Sequence, residues 1–140
     1  MGTTGKVVGP EDGELIAHDG WEALIRLGAD ATGGAFTIIE TRHDAGGAAG
    51  PHTHSRESET FLVLEGTVTF RLGNERVELG AGGIVFGPAG TIHDFAVGPD
   101  GGRLLHLFVP SGMEGFFRAP RIPGAGVRLR RQYGVESIGE

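Results

Sequence analysis

The chain has 140 residues, a formal net charge of −6 and no cysteine, which fits one domain, residues 1–140, and excludes disulfides and thiolate metal sites. The acidic balance and the absence of a long basic block disfavour a nucleic-acid partner, which requires a concentrated basic face; Arg128, Arg130 and Arg131 read as surface charge. No apolar run approaches the roughly 18 residues of a membrane span, and residues 1–20 lack the apolar stretch of a signal peptide, so no membrane partner and a cytoplasmic location are expected.

In chain order, residues 21–27 (WEALIRL) read as a strand. Residues 35–41 (AFTIIET) are rich in β-branched side chains and read as another. Residues 60–65 (TFLVLE) form an apolar strand ending at Gly66. Residues 67–72 (TVTFRL) alternate apolar and polar, and after a Gly73-Asn74 turn residues 75–79 (ERVEL) alternate again. Two short apolar segments follow, 84–86 and 94–97. The cluster GPDGG at 98–102 reads as a turn, and RLLHLFV at 103–109 as a last core strand stopped by Pro110. Residues 113–118 (MEGFFR) read as a short helix. Pro120, Pro123, Gly124 and Gly126 then exclude regular structure until about Val127. With 27 glycines spread between short strands, the expected class is all-β, a sandwich or closed barrel.

The chemistry lies in two segments. Residues 46–66, GGAAGPHTHSRESETFLVLEG, fit G-x5-H-x-H-x4-E-x6-G through Gly46, His52, His54, Glu59 and Gly66. Residues 82–93, GGIVFGPAGTIH, fit G-x5-P-x-G-x2-H through Gly82, Pro88, Gly90 and His93. Together they resemble the two sequence motifs of the cupin superfamily. The resemblance implies a cupin β-barrel (a double-stranded β-helix, or jelly roll) with a short C-terminal helix. It also implies one divalent metal ion held by His52, His54, Glu59 and His93.

The spacing is consistent with that implication. Residues two apart on a strand share a face, so both rings of the His-x-His pair point the same way. Glu59 opens the next strand on the face of Phe61 and Val63, and His93 is expected to start a strand on the other side of the barrel. Three imidazoles and a carboxylate suit iron, nickel, manganese, cobalt or zinc. Four ligands leave up to two octahedral positions open, as at a catalytic metal.

Glu57 competes with Glu59 as the carboxylate. Both point to one face, but two residues of strand span about 6.6 Å, too far for both to bind one ion. Glu59 has the motif spacing, and Glu57 is expected to reach the rim. His106 reads either as a pocket residue or as a hydrogen-bonded structural histidine. His18 and His43 fit no motif and are expected at the surface, and Phe61, Phe86, Phe95 and Phe108 in the core. The motif glycines read as turn formers.

Within the superfamily, HTHSRESETFLVLEGTVTFRLG, GMEGFF and YGVESIG look most like small single-domain quercetinase-like proteins. That likeness implies a dioxygenase acting on an enolic or phenolic small molecule, with Glu59 as both ligand and general base. Two other functions fit the same scaffold: a redox-neutral cyclase or isomerase of polyketide-like or keto-acid substrates, and a non-catalytic binding module. A homodimer is expected, since Leu62 and Leu64 face away from the metal side and need cover.

Overall fold

The structure is a computed structural model describing residues 4–138. Nine strands make one antiparallel sheet that curls into a barrel: β1 Glu14–His18, β2 Trp21–Leu27, β3 Thr37–His43, β4 Ala48–His54, β5 Ser58–Leu72, β6 Glu75–Leu79, β7 Ile84–Gly87, β8 His93–Val109 and β9 Val135–Ser137. Three short helices complete it: α1 Ala29–Thr32, α2 Glu114–Arg118 and α3 Gly126–Gln132. The expected all-β barrel is found, with two short C-terminal helices, α2 and α3, where one was expected. None of the helices is long and apolar enough to cross a membrane.

Two expected boundaries disappear. Residues 60–65 and 67–72 are one strand, β5, and residues 94–97 and 103–109 are one strand, β8. The two run antiparallel along their full lengths. Residues 58–66 pair with 102–109, and residues 68–72 pair with 93–97. The glycines bend this ladder instead of reversing the chain. Gly66 has φ +81°, and a Cβ there would meet the Gly101 carbonyl oxygen at 2.3 Å. Only glycine tolerates that combination. Each long strand therefore belongs to both halves of the barrel, and β8 carries β3 beside one half and β4 beside the other.

Alternation along these strands builds the interior. Phe61, Val63, Val68, Phe70, Phe95, Val97 and Leu104 form one buried apolar cluster with Val85. Ala23, Ile25, Ile39, Phe108, Met113, Phe117 and Val135 form a second. Truncating a ring such as Phe61 to alanine would cost about 3–5 kcal/mol. Phe86 departs from expectation. It points outward and is 56% exposed, because in a four-residue strand alternating outside-inside it shares the outer parity of Ile84.

A buried carboxylate helps fasten the C-terminal segment, whose β9 also pairs with β4. Glu114 is buried at the start of α2. It accepts hydrogen bonds from the Ala29 N–H at 2.7 Å, the Thr37 hydroxyl at 2.6 Å and the Gly112 N–H at 2.9 Å. Burial alone would raise its pKa, but these donors, Thr37 first, hold it below the ordinary value of 4.5. A depressed folded-state pKa stabilises the fold above the unfolded value, and the contribution is lost as the pH falls through the folded one. Glu114→Gln is expected to lower stability by about 1.5–3 kcal/mol near neutral pH. The gap between wild type and variant should close on acidification below about 4.5. Denaturant melts from pH 3 to 7 check this, and a gap constant across that range would contradict it.

Candidate metal centre

Strand pairing brings the motif residues together. His52 and His93 are register partners across β4 and β8. His54 ends β4, and Glu59 lies near the start of β5, opposite Gly87 and Phe108. His93 therefore sits on the strand beside the His-x-His pair, not across the barrel from it as expected. One ligand-type atom from each of His52, His54, Glu59 and His93 lies within 4.8 Å of all the others. The rings of His52 and His93 are 4.4 Å apart between centroids, and those of His54 and His93 5.2 Å. His54, Glu59 and His93 are buried, while His52 is only partly covered and forms the open side.

The hydrogen bonds show which ring atoms face the centre. The His52 Nδ1–H donates to the Gly50 carbonyl at 2.7 Å, and the His93 Nδ1–H to the Thr91 carbonyl at 3.0 Å. In the neutral rings this leaves both Nε2 lone pairs free to bind a metal. His93 Nε2 lies 3.0 Å from Glu59 Oε1, and His54 Nε2 lies 2.9 Å from the same oxygen. Neither nitrogen of the buried His54 ring makes a hydrogen bond. A buried imidazole without a hydrogen bond, set with a second ring nitrogen against one carboxylate oxygen, is a donor set that a shared cation would satisfy. One divalent cation would meet that need, so the donor set fits the implied metal.

Electrostatics agree. Burial, then the neighbouring His93, pushes His52 down to about 4, so it is neutral at pH 7 and able to coordinate. Burial lowers His93 as well, but the facing Glu59 carboxylate outweighs it and the net direction is up. Burial would raise Glu59, yet the hydrogen bond from His106, then the close approach of the His54 and His93 rings, hold it well below the carboxylate range. Glu59 is thus an anion at any ordinary pH.

Behind Glu59 runs a buried chain. His106 Nδ1–H donates to Glu59 Oε2 at 2.7 Å. His106 Nε2 then accepts from the Thr41 hydroxyl at 2.8 Å, and Thr41 Oγ1 accepts from His43 Nε2–H at 2.9 Å. The carboxylate can only accept, and this sets the direction of every later link. His106 is thus both a cavity residue and a satisfied structural histidine. Its partners are diagonal neighbours across the ladder, since it pairs with Phe61 of β5 and Ile39 of β3.

Three expectations are corrected here. His43 is half-buried on β3, borders the cavity and is pushed down to about 4 by burial and by His106. His18 is also half-buried, stacked on Trp21 and donating to the Phe117 carbonyl at 2.7 Å. Glu57 does not reach the rim: it is 4% exposed, and burial raises its pKa. It lies just before β5 and contributes no atom to the cluster. No motif flags His43, but its two-residue spacing from Thr41 was the available signal.

A cavity of about 630 Å³ opens onto the cluster, bordered by His52, His54, Glu59 and His106 and by Phe61, Phe95 and Phe108. Its outer wall comes from Trp21, from Met113, Phe116 and Phe117 around α2, and from Arg121 and Arg130. Of the three arginines expected to be plain surface charge, Arg130 therefore faces the cavity.

Known proteins match this architecture. Residues 40–109, half of the chain, match the Cupin domain family. Over 95 residues the chain is 28% identical to quercetin 2,3-dioxygenase of Bacillus subtilis (strain 168), a stretch covering 68% of this chain and 28% of the relative. The chain thus spans little more than a quarter of that protein's length. Among solved structures, KdgF from Halomonas sp. superposes with a TM-score of 0.70 at 20% identity, covering 78% of this chain and 96% of KdgF. An RmlC-like cupin from Shewanella frigidimarina NCIMB 400 gives 0.68 at 23%, covering 83% and 99%. Oxalate decarboxylase from Bacillus subtilis gives 0.66 at 18%, covering 79% and 31%. These likenesses establish the shared fold, and with the match over residues 40–109 the chain belongs to the cupin family.

Proposed function

We propose that the chain is a metal-dependent enzyme, an oxygenase acting on an enolic or phenolic small molecule. The supporting observation is the convergence of three imidazoles and one carboxylate at the inner end of an aromatic-walled cavity. In this reading His52, His54, Glu59 and His93 hold one divalent ion: iron, nickel, manganese, cobalt or zinc. When bound, the ion supplies Lewis-acid polarisation and an anchor for a substrate oxygen.

The protein's own groups do the rest. Substrate enters on the side of His52, the partly covered member of the cluster. Phe61, Phe95 and Phe108 hold a planar ring and keep water from it. Glu59 accepts the substrate hydroxyl proton at Oε1, because Oε2 already accepts the His106 N–H. The chain through His106 and Thr41 keeps the carboxylate from rotating. The name of the Bacillus subtilis relative, quercetin 2,3-dioxygenase, supports the oxygenase class.

We also propose a homodimer. Ile84, Phe86 and Val109 are exposed on the outer face of the β5–β7–β8 sheet. Ile84 is register partner of Leu62, which in turn pairs with Leu105. An apolar patch beside an edge strand marks an association surface.

Purified protein is expected to carry close to one divalent metal per chain. Glu59→Gln should weaken metal binding at least about tenfold, while Glu57→Gln should keep its metal. Elemental analysis with metal titration checks this, and the reverse pattern would reassign the carboxylate. Supplied with a flavonol or related enolic substrate, the loaded enzyme should consume dioxygen. Conversion at an unchanged rate under strict anaerobiosis would select the cyclase or isomerase reading instead. Sedimentation equilibrium should give twice 14.6 kDa for the wild type and 14.6 kDa for Phe86→Glu, with metal content unchanged. A wild-type monomer would refute the dimer.

A further inference from the structure

The outer wall of the cavity contains an arginine held against two aromatic rings. Arg121 follows α2 in the loop toward α3. Its guanidinium carbon lies 4.5 Å from the centroid of the Phe116 ring and 5.5 Å from that of Trp21. Its Nη1 donates to the Phe116 carbonyl at 2.7 Å and to the Ala119 carbonyl at 2.9 Å. These contacts fix the plane of the group and use only one of its three nitrogens. Nε and Nη2 have no hydrogen-bond partner among the described residues, and no carboxylate lies within ion-pair distance.

Four other arginines contrast with it, whereas Arg56 and Arg71 also bond backbone carbonyls. Arg26, Arg42, Arg103 and Arg118 are each paired with a glutamate. In a chain of net charge −6, carboxylates are the more abundant partner. Packing against the rings partly desolvates the Arg121 guanidinium and lowers its pKa, while the residue as a whole remains exposed. The exposed side leaves its unused nitrogens accessible to a ligand entering the cavity. Arg130 of α3 borders the same cavity. The acids at its rim, Asp19 and Asp44, are exposed to water, which screens them.

We infer that Arg121 is the anion-binding end of the pocket, so that the substrate is an organic acid with its enolic or phenolic oxygen at the metal cluster and its carboxylate on Arg121. The inference rests on the cavity being the substrate pocket proposed above, and it narrows the substrate from neutral flavonols to aromatic acids. A guanidinium with two unused nitrogens offers the paired N–H donors that a carboxylate accepts side by side. The aromatic lining between the two ends accommodates a planar body.

The test is isothermal titration calorimetry with zinc-loaded protein, in which no dioxygen chemistry intrudes, and with metal-free protein. The probes are 3,4-dihydroxycinnamate and 3,4-dihydroxybenzoate, each against its methyl ester. Wild type is expected to bind at least one acid about tenfold or more tighter than its ester. Arg121→Gln should remove that preference while leaving the ester's affinity unchanged, which also reports an intact cavity. Arg121→Lys should restore part of it. The preference should persist without metal. Equal affinity for acid and ester, no binding of either acid, or a preference that survives in Arg121→Gln would overturn the assignment. Oxygen uptake is not measured, so an acid preference in a protein that consumes no dioxygen would leave Arg121 assigned and refute only the oxygenase reading.

Discussion

The ladder between β5 and β8 is the constraint on which the rest of the molecule depends. It runs through two glycine-bearing bends, at Gly66 and at Gly101–Gly102. Because neither strand breaks there, one strand delivers residues to both halves of the barrel. β5 places Glu59 beside the second half of β8, where His106 lies, and β8 returns its first residue, His93, to β4 and His52. Had the glycines reversed the chain, the four donors would belong to separate hairpins. Backbone pairing therefore sets the geometry of the cluster before any side-chain chemistry begins.

Glu59 is the group on which that geometry converges. A carboxylate with almost no exposure would normally become neutral to avoid the desolvation penalty. Here the surrounding nitrogens keep it charged. Placing His106, Thr41 and His43 in series gives Glu59 Oε2 a committed donor and leaves Oε1 toward His54 and His93. The arrangement splits the two oxygens between a structural task and the open centre. It also divides the core, since His106 stands between Leu104 of one apolar cluster and Phe108 of the other.

The second half of the pocket comes from the segment after the barrel proper. Met113, Phe116 and Phe117 close the cavity from one side, and the Glu114 carboxylate anchors them to α1 and β3. Trp21 from β2 joins them, stacked between His18 and His43. The cluster end of the cavity thus belongs to the barrel strands and the distal end to α2 and the following loop.

Much of this was legible in the sequence. The period-two alternation of residues 67–72 marked an inward face, and the resemblance of the spacing of His52, His54, Glu59, Gly66, Gly82, Pro88, Gly90 and His93 to the cupin motifs implied the fold and the four candidate donors. Such patterns are local, because side-chain direction on a strand follows from parity alone. What the sequence could not show depends on partners far apart in the chain. A glycine at 66 or 101 reads as a turn until the opposing strand shows that the ladder continues. Glu57 reads as a rim residue until the fold buries it. His43, Arg121 and Arg130 carry no motif, and His106 was an even choice. Their roles arise when β3, β8 and the segment after α2 close around one cavity. The sequence by itself determined which residues can coordinate and which face they share. Only the tertiary structure decided what stands behind and opposite them, because those contacts join residues such as Thr41 and His106, or Trp21 and Arg121, that only chain closure makes neighbours.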